Sequence, residues 1–294
     1  MLNQRHLLKI AGLCLTMTGL LLTGSITTRA QASRARSAAS YFDRGNEWQS
    51  HGEIDRAIAD YGLAITFDPN FARAYYARGR ARLSKGEFDI ALDDFNRTLE
   101  LDSRQAEALN DRGFIHYQRG DRAAALADFN RALELDSRFA RAYYNRAMIK
   151  LDRQDYRGAL ADFEQTLKFD KKDAIAYNNR GYTRLMLDDQ AGALADFERT
   201  IRLDPRHAAA YSNRGNLRSA RGDFAGALSD YNRALELNPQ LAENYKNRGN
   251  ARFAKADYQG ALADYRQAIE LKPELKSALE PRLNELNSRL TGLR

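Results

Sequence analysis

A period of 34 residues runs through this chain seven times without insertion or deletion. Ala57, Ala91, Ala125, Ala159, Ala193, Ala227 and Ala261 fill one column of the register. Tyr61, Phe95, Phe129, Phe163, Phe197, Tyr231 and Tyr265 fill a second. A third holds Gly45, Gly79, Gly113, Ala147, Gly181, Gly215 and Gly249. Such a period means one supersecondary unit built repeatedly, each copy burying its apolar face on its neighbours. The repeats are 38–71, 72–105, 106–139, 140–173, 174–207, 208–241 and 242–275, which is 238 of the 294 residues.

Each repeat reads as two helices. The first carries small or apolar residues at helical spacing, as in Ala74, Tyr75, Gly79, Ala81 and Leu83. A break follows, often glycine then an acid, as in Gly86-Glu87 and Gly120-Asp121. Glycine permits the left-handed end of the first helix. The acid column, Glu53, Glu87, Asp121, Asp155, Asp189, Asp223 and Asp257, suits the positive start of the second. Pro69, Pro205, Pro239 and Pro273 share one column, where the second helix must stop. Glycine or alanine on the first helix is expected to face the invariant alanine on the second, with the Phe/Tyr ring filling the space beside that contact. Lys276–Arg294 reads as a capping helix, with Leu279, Leu283, Leu286 and Leu290 inward and Arg282, Glu285 and Arg289 toward water. Pro281 is expected in its first turn.

The N-terminus differs in kind. Arg5, His6 and Lys9 precede an uncharged stretch over 10–28, and Ala30-Gln31-Ala32 offers a small-x-small cleavage site. This is the layout of a secretory signal peptide over 1–32, cut after Ala32. The same stretch, kept, is long enough for one membrane anchor. Residues 33–37 read as a short linker. Either way the repeats are expected in the periplasm or a comparable extracytoplasmic space. Cys14 is the only cysteine, so the repeats hold no thiolate metal site and no disulfide. The net charge of +7 includes three cations and no acid from 1–32, and beyond that acids and bases interleave.

The repeated pattern, as in Tyr75, Gly79, Ala91 and Phe95 with Pro69 closing the first copy, resembles the tetratricopeptide repeat. The resemblance implies an all-α fold: a right-handed α-solenoid superhelix of antiparallel helix pairs with a C-terminal capping helix. It also implies a concave groove lined mainly by the first helices. Groove-facing positions in this family are the second, fifth, ninth and twelfth of each repeat.

One charged column departs from the family pattern, and a second accompanies it. Arg44, Arg78, Arg112, Arg146, Arg180, Arg214 and Arg248 stand where leucine is usual, and Asp60, Asp94, Asp128, Asp162, Asp196, Asp230 and Asp264 accompany them. A third column, four residues after each arginine, is mostly basic, from Arg82 to Arg252. At about 100° per residue, the seventh position points away from the fifth and ninth. The arginines are therefore expected to pair internally with the aspartates rather than form a basic stripe for an acidic ligand.

The groove positions are where the repeats stop resembling one another. They are Arg73, Tyr76, Arg80 and Leu83 in repeat two, and Asn110, Phe114 and Tyr117, beside Glu107, in repeat three. Repeat four supplies Arg141, Tyr144, Met148 and Leu151. Repeat five supplies Asn178, Tyr182 and Leu185, beside Ile175 and Met186. Aromatic rings and methionine suit adaptable protein recognition, and asparagine can bond a peptide backbone. The competing reading is that these side chains pack between neighbouring first helices. Lys246 and Asn250 supply one pair of the chaperone-tail clamp known in the family, but its other partners are missing.

The four histidines lack metal spacing, and no phosphate loop or nucleophilic relay appears. No cofactor, metal or catalysis is expected. The expected role is a protein-interaction scaffold that holds a peptide or partner protein in its groove and assists complex assembly outside the cytoplasm. Homo-oligomeric scaffolding is the alternative, followed by single-stranded nucleic-acid binding. Replacing Arg146 by Leu is expected to lower the melting temperature, by the equivalent of about 0.2–1 kcal/mol if the pair is exposed and more if it is shielded. Partner capture should be unchanged. Lost capture at unchanged melting would contradict internal pairing.

Overall fold

The structure, a computed structural model, describes residues 33–292. The signal or anchor segment and the expected cut after Ala32 lie outside the described residues. Helix α1 covers 33–50. It is followed by α2 (Ile54–Phe67), α3 (Ala72–Ser84), α4 (Phe88–Leu101), α5 (Ala106–Gln118) and α6 (Arg122–Leu135). Then come α7 (Ala140–Asp152), α8 (Tyr156–Phe169), α9 (Ala174–Met186), α10 (Gln190–Leu203), α11 (Ala208–Ala220), α12 (Phe224–Leu237), α13 (Ala242–Ala254) and α14 (Tyr258–Leu271). A 3₁₀ turn (Pro273–Leu275) leads into α15 (Lys276–Thr291). The fold is all-α, with the odd-numbered first helices and even-numbered second helices that the period requires.

The described residues form two compact units, divided between Ser137 and Arg138. In the first, α1–α6 make three hairpins. In the second, α7–α14 make four, and α15 closes the last. Within each unit a second helix also packs on the first helix of the next hairpin, as α4 does on α5 and α12 on α13.

Local chemistry sets the boundaries. Gly52, Gly86, Gly120 and Gly222 end first helices with φ between 77° and 81°, a left-handed conformation that costs glycine nothing. Gln154, Asp188 and Ala256 hold the same turn at φ 60–62°, at about 1–2 kcal/mol each. Five of the seven acids at the start of the second helices cap them through the side chain. Asp121, Asp155, Asp189, Asp223 and Asp257 each accept from the backbone N–H three residues on, at 2.8–3.0 Å. Glu53 and Glu87 make no such bond. One extra methylene carries the glutamate carboxylate past the amide. At the other end Asp68, Asp102, Asp170, Asp204 and Asn238 accept from the N–H two residues on, at 2.9–3.1 Å. These turns reverse the chain into the next hairpin.

The close contact inside each hairpin is not the one expected. A Cβ built on Gly79 would lie 2.8 Å from the Phe95 ring, and one on Gly181 2.7 Å from Phe197. The glycine column therefore faces the aromatic ring, not the invariant alanine. The antiparallel crossing pairs residues 16 apart, and the alanine sits one helical turn before the ring. Ala147 occupies the same place in the fourth hairpin, packed with Ala159 and Phe163. All seven rings are buried to 1% exposure or less. Truncating such a ring to alanine typically costs about 3–5 kcal/mol.

Two terminal expectations need correction. Residues 33–37 are not a linker but the first turns of α1. Nothing in Ser33–Ser37 breaks a helix. Pro281 is inside α15 rather than in its first turn, because the helix begins at Lys276. The ring removes one N–H from the ladder there. Leu279 and Leu286 are buried with Leu275, Leu283 is partly buried, and Leu290 is exposed. Arg282 lies over the Phe253 ring at 4.7 Å and Arg289 over Tyr258 at 5.2 Å, so this face covers the last repeat as well as meeting water.

Changing Glu53 to Asp should supply the missing cap on α2. Thermal or urea denaturation should show a gain of about 0.5–1 kcal/mol. A loss would mean that the five aspartate caps contribute nothing.

Candidate functional site

Every arginine of the seventh position pairs with the aspartate 16 residues later. The pairs are two-pronged: Arg180 Nε donates to Asp196 Oδ2 at 2.9 Å and its Nη2 to Oδ1 at 2.7 Å. Arg44, Arg112, Arg146 and Arg248 repeat this geometry at 2.6–2.9 Å. All seven aspartates are nearly inaccessible. Arg82, Lys150, Arg184, Arg218 and Arg252 each bring a second cation to the same carboxylate, at 2.8–3.0 Å. In the first hairpin Trp48 Nε1 fills that role at 3.1 Å from Asp60. Asp60 is held below the usual carboxylate range, chiefly by its hydrogen bond from Arg44.

The arginines also reach the second helix of the preceding hairpin. Arg112 Nη1 donates to Asn96 and Arg248 Nη1 to Asn232, at 3.1 and 2.8 Å. The column thus faces the second helices, as its rotation from the fifth and ninth positions requires. A feature not anticipated from the sequence lies beside it. Tyr41, Tyr75, Tyr143, Tyr177, Tyr211 and Tyr245 each lie under the guanidinium three residues on, at 5.0–5.7 Å. The signal was there: tyrosine recurs three residues before arginine in six repeats.

The inner positions divide into two sets. One set links neighbouring first helices. Tyr76 Oη donates to Asp111 Oδ2 at 3.1 Å, and burial, then the Asp111 charge, pushes its hydroxyl pKa up. Asn179 Nδ2 donates to Tyr144 Oη at 3.0 Å and lies 3.5 Å from Met148 Sδ. Asn213 Nδ2 donates to Asn178 Oδ1 at 3.0 Å, and Asn244 Nδ2 to Ser212 Oγ at 2.6 Å. Asn110 is buried, and its amide donates to Asp111 Oδ1 at 3.0 Å. In repeats two, four, five and six the fifth position is therefore spent between helices, in the first three of these against the sixth position of the next repeat, while the Asn110–Asp111 bond stays within α5. The signal for that partner column was Asn145, Asn179, Asn213 and Asn247. Lys246 is likewise engaged, in an ion pair with Glu243.

The other set is open. In the second unit Ile175 is 54% exposed, and Tyr182 and Met186 are each 41% exposed, all on one face of α9. Met148, Leu151 and Leu185 are half-buried, and Arg141 is exposed. In the first unit Arg73 and Arg80 are exposed, while Leu83, Phe114 and Tyr117 are half-buried. A cavity of about 540 Å³ opens between α1 and α3. Among the described residues no helix is long and apolar enough to cross a membrane, and no group of His, Cys, Asp or Glu is placed to hold a metal.

Stacked helical hairpins on a 34-residue period, with ring-on-glycine packing, define a helical repeat protein. Profiles of the tetratricopeptide repeat match residues 45–86, 76–138, 115–149, 144–208, 208–241 and 242–275. The chain belongs to the tetratricopeptide repeat family and is a protein-interaction scaffold. No curated protein matches it in sequence. Among solved structures it is similar to YrrB, described as a TPR protein with an unusual peptide-binding site. That likeness has 24% identity and a TM-score of 0.55, over 64% of this chain and 97% of that one. It is also similar to a tetratricopeptide repeat protein from Parabacteroides merdae, at 20% identity and a TM-score of 0.59 over 85% of this chain and 99% of that one. The APC/C hetero-tetramer Cut9–Hcn1 gives 17% identity and a TM-score of 0.65 over 73% of this chain and 42% of that one. At these identities the likeness shows the fold.

The two-cation geometry yields an asymmetry. Arg180→Leu leaves Asp196 paired with Arg184, so denaturation should show a loss of about 1–2 kcal/mol. Asp196→Ala strands two shielded cations and should cost about 3–5 kcal/mol. Equal losses would contradict the shared carboxylate.

Proposed function

We propose that the protein is a non-enzymatic adaptor that holds a segment of a partner protein on the inner face of its first helices. The observation that carries this is the stripe Ile175, Tyr182 and Met186 on α9. Leu63, Phe88 and Ile90 are also exposed, but they lie on the second helices α2 and α4 and not on the first-helix face. On α9 three large apolar side chains stand in solvent, seven and four residues apart, on one helix face. Burying them on a partner would stabilise a complex by about 25 cal/mol per Å² of apolar surface covered, before association costs. Tyr144, Met148 and Leu185 lie half-buried in the same unit and would extend the contact.

The charge distribution supports a protein ligand over a nucleic acid. Seven arginines that could have met phosphates are instead two-pronged partners of buried aspartates. The basic and apolar N-terminal segment supports export or membrane tethering, and so an assembly role outside the cytoplasm.

The variant Ile175→Ser/Tyr182→Ser/Met186→Ser tests the site. All three side chains are exposed, so melting should change little. Affinity capture from an envelope fraction should lose the partners that the wild type retains. Unchanged capture would rule out this face.

A further inference from the structure

We infer that the outer side of α1 docks on a membrane surface, and that a cavity at its start takes the phosphodiester of an anionic lipid headgroup. The inference rests on a membrane anchor kept over 10–28 and not on the α9 stripe. The cavity, of about 410 Å³, is lined by Ser33, Arg36, Ser37, Ser40, Tyr41 and Arg44. Arg44 marks which side of α1 this is. Its counterparts Arg112 and Arg248 reach back to the second helix of the preceding hairpin, and among the described residues none precedes α1. In repeats two to six the third position is a buried alanine: Ala74, Ala108, Ala142, Ala176 and Ala210. In the first repeat it is Ser40, and it is exposed. A hydroxyl in place of alanine makes this side polar, which fits a hydrated ligand better than another copy of the repeat.

The charge of this end is one-sided. Arg5, Lys9, Arg29, Arg34 and Arg36 all precede the first acid of the chain, Asp43. Arg34 and Arg36 are exposed and form no ion pair among the described residues. Arg36 lines the cavity, whereas Arg34 stands about 200° round the helix from it. The charge of Arg44 is already answered by Asp60. Ser37 Oγ donates to the Ser33 carbonyl at 3.1 Å, and the hydroxyls of Ser33 and Ser40 can each donate to a ligand oxygen or accept from one. One unanswered cation beside hydroxyls matches the single charge and two free oxygens of a phosphodiester. The same polarity makes the uncharged stretch over 10–28 a poor occupant. Chain length then limits how far the cavity can stand from a bilayer. Five residue steps join Thr28 to Ser33, and α1 rises about 1.5 Å per residue, so Arg36 lies at most about 22 Å from the end of that stretch. Headgroups occupy the first 5–8 Å or so of that span. An anchor over 10–28 therefore presents headgroups to the cavity intramolecularly.

The single tryptophan, Trp48, is half-buried on α1 and reports the distance to a bilayer by energy transfer to dansyl-labelled headgroups. The full chain is reconstituted in phosphatidylcholine bilayers with and without phosphatidylglycerol. Transfer should be greater where phosphatidylglycerol is present. Arg34→Gln removes one charge outside the cavity and should weaken docking about fivefold. Arg36→Gln also removes charge-assisted hydrogen bonds and should weaken it at least about thirtyfold. Melting should be unchanged in both, since neither side chain is paired. Equal transfer on the two bilayers would overturn the inference. So would equal losses in the two variants, which mean surface charge alone, or displacement by inorganic phosphate, which means a free anion. A native protein whose mass shows cleavage after Ala32 lacks the anchor and also overturns it. None of these measurements touches α9. Failure here with capture intact leaves the adaptor reading standing, and lost capture with docking intact leaves the headgroup site standing.

Discussion

The aromatic ring that each second helix seats against the first sets the register on which everything else depends. Tyr61 meets Gly45, Phe95 meets Gly79, and the same offset of 16 residues recurs in every hairpin. One residue earlier on each helix, the same offset brings Arg44 to Asp60 and Arg78 to Asp94. A single antiparallel crossing therefore fixes an apolar contact and an ionic one side by side. A bulkier residue than alanine under the ring would push the helices apart and pull the guanidinium from its carboxylate together.

The ionic column spends most of the repeated charge internally. Each aspartate is sunk at the hairpin crossing, where an unpaired carboxylate would be costly. The arginine fork answers both oxygens, a second cation answers one of them in five hairpins, and a tyrosine ring backs the guanidinium in six. What is left to face a partner is the part of the surface that does not repeat. That includes the apolar stripe of α9 in the second unit.

Much of this was legible before the structure. The period gave the hairpins, the glycine and acid columns gave the turns, and the rotation between positions seven, five and nine placed the arginines against the second helices. The cap column was legible only in part, since aspartate and glutamate share a charge but not a reach. The partner of the glycine column was misjudged for a related reason. Both the alanine and the ring are invariant in character, and periodicity cannot say which stands opposite. On the inner face, positions two, five, nine and twelve looked equivalent. In the fold the fifth is drawn into bonds with the next first helix, as Tyr76 with Asp111 and Asn178 with Asn213, while Tyr182 and Met186 stay in solvent.

The sequence by itself thus determined the repeating hairpin, its boundaries and the arginine–aspartate pairs, because each follows from spacing along a helix. Only the tertiary structure decided which inner side chains remain available. That depends on how close neighbouring first helices stand and how far each side chain reaches across the gap. Tyr76 spans it to Asp111, whereas Arg73 lies over the Phe42 ring and has no carboxylate partner among the described residues. No column of the repeat encodes that difference.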